Sequence, residues 1–100
     1  MDSSSIKIEK LRDKDNWQQW RFVVRTVLED DDDVFEVIEG TLARLDAAEA
    51  NCEAKLKRFL KADKSARKLI VTTVEKKPLE LIMSCTTARE MWLKLNSGLI

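Results

Sequence analysis

Between Asn16 and Leu28 the chain reads NWQQWRFVVRTVL, and Trp17, Trp20, Val24, Val27 and Leu28 recur there at intervals of three and four. That spacing sets all five on one stripe of an α-helix, whereas a strand would need every second residue to be apolar. Two tryptophans within one turn carry much of the burial that a small core needs. The rest of the chain therefore has to pack against this helix. Phe22 breaks the pattern, lying about 170° from the centre of the stripe when each residue advances by about 100°. Either the helix is covered on two sides, or Phe22 marks a contact surface.

The remainder is poor in turn residues. Two glycines and one proline in 100 residues, with 36% charged residues, argue for an all-α fold over a sandwich or barrel. A chain of this length makes one domain. Its stability margin is thin, about 5–10 kcal/mol, so association with copies or a partner would add to it. The expected organisation is a disordered tail over residues 1–5 and one compact bundle of about five helices over residues 6–100.

Taken in order, Ile8 and Leu11 form a short extended arm that can lie on the core. Asp13 or Asp15 is suited to cap the first helix, which runs to about Glu29. The five acids Glu29-Asp30-Asp31-Asp32-Asp33 end that helix and supply the cap and first-turn charge of the next. They lack the interleaved ligands and the glycine of a calcium loop. Val34, Phe35, Val37 and Ile38 give a short apolar helix, and Gly40 can stop it in the left-handed conformation.

From Leu42 to about Lys76 the pattern is helical again, with a break near 43–50. Leu45, Cys52, Leu56, Phe59, Ala66, Ile70 and Val74 follow the helical period, and Asp63 stands at the edge of their stripe. On the other side Lys57, Lys61, Lys64 and Lys68 lie at i, i+4, i+7 and i+11, joined by Lys55, Arg58 and Arg67 in a basic ridge. Such a ridge is a solvated helix face, a phosphate-binding strip or a contact for acidic lipid. No aromatic residue interleaves with it, which argues against base stacking. Pro78 fits the first turn of a further helix, with Leu79, Leu81, Ile82 and Met83 on its apolar side. Thr87-Ala88-Arg89-Glu90 reads as a capping box that opens the last helix, whose Ala88, Met91, Trp92 and Leu95 face inward. Gly98 is a natural stop.

Net charge is zero but unevenly spread. Residues 1–50 hold 13 acids and 7 bases, and residues 51–100 hold 5 acids and 11 bases. The two halves neutralise each other within one molecule, or the acidic face of one molecule meets the basic face of the next.

The chain has no histidine, so the usual general base is missing and a cysteine nucleophile would lack its standard partner. Cys52 and Cys85 are its two cysteines, too few for a standard zinc site, and either bridge each other or remain reduced thiols. There is no glycine-rich phosphate loop. The expectation is a protein that is not an enzyme, with no cofactor, no metal and no small-molecule substrate. No apolar run approaches the length of a membrane span, and MDSSS begins without the apolar stretch of a signal peptide.

Four blocks then resemble one family. Leu11…Asn16-Trp17-x-x-Trp20-Arg21-Phe22…Leu28 resembles the opening of copia-type retrotransposon Gag proteins. Phe35-Glu36-Val37-Ile38-Glu39-Gly40 is similar to the short helix and glycine that follow there. Phe59-Leu60-Lys61-Ala62-Asp63…Ala66…Ile70 resembles the next helix, with Phe59 where the family commonly has Trp. Thr87-Ala88-Arg89-Glu90-Met91-Trp92-x-x-Leu95 resembles the family's Thr-Ala-Lys/Arg-Glu-x-Trp-x-x-Leu block. There are departures. Asp13 stands near the place of a family glycine, Thr41 to Lys57 is longer and more charged, and Gly98-Leu99-Ile100 replaces an aromatic. Nor do the further capsid helices and zinc knuckle of many Gag chains follow here, so a fragment or shortened form is expected.

The resemblance implies a capsid N-terminal-domain-like fold and a structural protein that self-associates into virus-like shells packaging RNA. RNA contact would come chiefly from a C-terminal region beyond this sequence, and the location would be the cytoplasm, or the nucleus. The alternative is a host-domesticated Gag-like adaptor that binds another protein or nucleic acid. Trp17, Trp20, Val24, Leu28, Phe59, Ile70, Trp92 and Leu95 would be core. Phe22, the ridge lysines Lys57, Lys61, Lys64 and Lys68, and Asp31 and Asp32 would form the interaction surface.

Overall fold

Three indole rings meet at the centre of the protein. In the computed structural model the Trp17 and Trp20 rings lie 5.6 Å apart and nearly stacked, and Trp92 sits 6.3 Å from the first and 5.8 Å from the second. Such offset and tilted pairs add to the stabilisation from burial itself. The structure describes residues 8–42 and 52–98, without the side chain of Cys52. The expected tail, the break near 43–50, Leu45 and the inward face of Cys52 lie outside the described residues.

Among the described residues there are five α-helices and no strand: α1 (Trp17–Leu28), α2 (Asp32–Glu39), α3 (Cys52–Thr72), α4 (Lys76–Ile82) and α5 (Ala88–Gly98). A 3-10 turn, Lys14–Asn16, leads into α1. Asp13 caps this turn by accepting the Asp15 amide at 2.9 Å. Asn16 is buried, yet all its polar atoms are satisfied. Its side-chain oxygen accepts the Arg12 amide at 3.0 Å and the Asp13 amide at 3.4 Å, and its amide donates to the Lys10 carbonyl at 2.9 Å. The residue before the first tryptophan thus folds the incoming arm back on the body.

That arm is held by the end of α3. Leu11 pairs with Val74 in an isolated parallel bridge, its amide donating to the Thr73 carbonyl at 2.9 Å and its carbonyl accepting from Glu75 at 2.8 Å. The Trp20 indole N–H donates to the same Thr73 carbonyl at 2.9 Å. The last carbonyls of a helix lack intrahelical partners, and here one of them takes two donors. Helix α3 ends at Thr72, earlier than the pattern to Lys76 suggests, because the chain turns extended at Val74 to make this bridge.

Helix α2 is capped at its start by Asp31, whose carboxylate accepts from the amides of Asp33 and Val34, and at its end by Gly40 in the left-handed region at φ 90°. Helix α3 packs on both α2 and α5, and α5 on α4. The buried residues of α3 are Phe59, Ala62, Asp63, Ala66 and Ile70. The two alanines let neighbouring helices approach closely. Met83, placed on the apolar side of α4 by its spacing, is exposed instead. It follows Ile82, the last helical residue, and falls in the turn toward α5.

Trp20 is 2% exposed and anchored at both ring and nitrogen. Trp20→Ala is expected to lower unfolding free energy by about 3–5 kcal/mol, read from the denaturant midpoint. An unchanged midpoint would remove Trp20 from the core.

Candidate functional site

The residues singled out from the sequence divide cleanly by exposure. Trp17, Trp20, Val24, Leu28, Phe59, Ile70, Trp92 and Leu95 are buried, while Phe22 is 74% exposed. The structure therefore leaves the outer side of α1 uncovered rather than sandwiching the helix. Asp31, Asp32, Lys57, Lys61, Lys64 and Lys68 are all exposed.

The basic ridge is smaller than its sequence. Arg58 turns toward α2 and donates to Asp33 at 2.8 Å, with Glu36 at 3.8 Å. That hydrogen bond holds the Asp33 carboxyl below the usual carboxylate range and raises Arg58 in turn. Arg67 is spent on Asp63 at 2.8 Å. Lys55 is half-buried, and what remains outward is the row of four lysines. At its edge a groove of about 210 Å³ is lined by Asp31, Asp33, Val34, Arg58, Lys61, Ala62 and Ser65, so acidic turn and ridge adjoin in one molecule. Part of the charge division between the halves is thus neutralised internally across the α2–α3 contact.

The block Thr87-Ala88-Arg89-Glu90 ties three helices together. The Thr87 hydroxyl accepts the Glu90 amide at 3.2 Å, one half of a capping box. The other half differs from the expected pattern. The Glu90 carboxylate takes the Thr86 amide at 2.8 Å and the Thr86 hydroxyl at 3.1 Å, not the Thr87 amide. These bonds from Thr86 hold the Glu90 carboxyl below its ordinary range. Asp63, expected at the edge of the α3 stripe, is 4% exposed and accepts the Ala88 amide at 2.8 Å from across the α3–α5 contact. Its second oxygen accepts from Arg67. A carboxylate at a helix N-terminus meets both free amides and the positive end of the dipole.

Arg89 completes the tie by donating to the Ile38 carbonyl at 2.8 Å, near the C-terminus of α2. Its guanidinium lies over Gly40, where an added Cβ would come within 2.8 Å of Arg89 Cζ. Gly40 is thus required for its positive φ, and a side chain there would also have to displace the Arg89 guanidinium. Periodicity places Asp63 at the edge of the α3 stripe and does not reveal this role. The available signal was an acid spaced four from Phe59 and three from Ala66, on a face otherwise apolar.

The polar side chains of the block are consumed in holding helix ends. Among the described residues no set of three or more His, Cys, Asp or Glu is placed to hold a metal ion. No helix among them is long and apolar enough to cross a membrane. The lysine row and the outer side of α1 are exposed. Beside Phe22 runs a groove of about 580 Å³ lined by Trp17, Gln18, Arg21, Phe22, Arg25 and Asn96.

Residues 24–98, three quarters of the chain, match the family described as the gag-polypeptide of LTR copia-type. The comparisons with curated proteins and with solved structures give no match. The matched span runs from the second half of α1 to the end of α5 and contains Gly40, Asp63 and the Thr87–Leu95 block.

Removing Asp63 tests how much the tie contributes. Asp63→Ala leaves the buried Ala88 amide without its acceptor and is expected to cost about 1–3 kcal/mol. Asp63→Asn keeps one acceptor oxygen and should cost less. Equal denaturant midpoints for wild type and Asp63→Ala would contradict the assignment.

Proposed function

The chain belongs to the copia-type gag-polypeptide family, and from that premise we propose that it is the N-terminal, capsid-like part of a Gag protein that self-associates into shells around RNA. Its role is structural. The observation that carries this reading is the family match over residues 24–98, which includes the helix-tying block. In such a protein, function resides in outer surfaces and the interior keeps them in fixed relation. Each contact between copies is weak, and many repeated contacts gain strength through multivalency.

The lysine row gives this surface a salt-sensitive attraction for RNA. Lys57, Lys61, Lys64 and Lys68 are exposed along a single face of α3, and each phosphate they neutralise releases counterions. Lysine suits a backbone contact of this kind because it acts as a point charge without reading bases.

The deciding experiment is sedimentation of the purified chain across concentration, at low and high salt, with and without RNA. Growth into species much larger than a dimer is the expected result. A monomer under every condition would contradict the reading and would suit an adaptor that needs a different chain. Replacing the four lysines by Glu should weaken RNA binding and flatten its salt dependence, by up to about three units of log–log slope for four single-strand contacts. Unaltered RNA binding would return the row to an ordinary solvated face.

A further inference from the structure

We propose that the outer side of α1 is a self-complementary contact surface, on which a second copy of this chain docks antiparallel with Phe22 at its centre. The inference rests on the self-association reading and names the face that performs one of its contacts.

Phe22 is the most exposed large apolar side chain among the described residues. Its neighbours are unusual for this protein. Helix α1 carries no acid and no lysine, in a chain that is 36% charged. The exposed residues beside Phe22 are Gln18, Gln19, Arg21, Arg25 and Thr26. Aromatic residues and arginine are enriched in the buried centres of protein interfaces, and lysine and acids are depleted there. The contrast with α3 is sharp. Two copies meeting through its lysine row would set like charges against each other, whereas two copies of α1 need not.

Charge arrangement selects the occupant. Arg25 is already compensated by Glu29 at 3.5 Å and Glu39 at 3.9 Å, and lies over the Phe35 ring at 5.7 Å. Arg21 makes no ion pair with a described residue. Glu29 follows directly after the last helical residue, so positive charge occupies the middle of this surface and negative charge one end. Antiparallel pairing of two α1 helices with a two-fold axis between Val23 and Val24 sets Phe22 opposite Arg25 and Gln18 opposite Glu29. Arg21 of each copy then lies one helical turn or less from Glu29 of the other. Aromatic-over-guanidinium and arginine–carboxylate contacts therefore occur twice, as a two-fold interface requires. The groove lined by Trp17, Arg21, Phe22 and Asn96 gives an approaching aromatic ring a place to enter.

The test is sedimentation equilibrium of the full chain as wild type, Phe22→Lys, Arg21→Glu and the double variant Arg21→Glu/Glu29→Arg, with circular dichroism on each. Phe22 is exposed, so Phe22→Lys should keep the wild-type helical signal and weaken association at least tenfold. Arg21→Glu should weaken it as well, and the double variant, which restores the pairing across the axis, should regain it. If wild type associates and Phe22→Lys associates equally, another face makes the contact. The inference then falls while self-association stands. Loss in Arg21→Glu without recovery in the double variant overturns the antiparallel pairing. A wild type that stays monomeric at all concentrations overturns both this inference and the reading beneath it.

Discussion

Three indoles have to be kept out of water by a chain of 100 residues, and the carbonyl of Thr73 is what makes that burial specific. A tryptophan ring can be buried for its area alone, but its N–H must find an acceptor or leave a costly unpaired donor. Trp20 finds it at the end of α3, where the helix itself cannot use the carbonyl. The same oxygen accepts from Leu11 and so binds the incoming arm. One atom thereby fixes α1 against α3 and seals the arm over the core. The positions of the two outer surfaces follow, since Phe22 and the lysine row lie on the far sides of these helices.

The second constraint is the junction around Ala88. A bundle of short helices exposes many unsatisfied ends, and each buried end needs a partner. Here helices cap one another. Asp63 of α3 takes the first amide of α5, and Arg89 of α5 takes a late carbonyl of α2. The Thr-Ala-Arg-Glu sequence is therefore a structural device within this family member, with threonine and glutamate closing the local turn and arginine reaching outward. Its polar residues are consumed in architecture, consistent with a Gag structural role.

Much of this could be read from the sequence, because helix periodicity reports the direction of burial. Trp17, Trp20, Val24 and Leu28 share one stripe and one core, and Gly40 and the acidic run Glu29–Asp33 announce the ends of α2. Other features left no periodic trace. A single bridge between Leu11 and Val74 gives no alternation to detect. Asp63 sits in an apolar stripe because its partner lies 25 residues away, and nothing local marks that partner. Arg58 and Arg67 were indistinguishable from the lysines in a charge pattern, yet each turns aside to a carboxylate. Phe22 showed the limit most plainly. Its angle told where it was not, on the core side, but could not tell whether anything covered it.

The most direct measurement is hydrogen exchange of the Trp20 indole N–H, followed by NMR under native conditions. If the bond to Thr73 holds the core together, that proton exchanges only when the whole domain opens. Its opening free energy should then equal the unfolding free energy obtained from denaturant. Exchange through a local opening well below that value would contradict the central place given to Trp20 and Thr73.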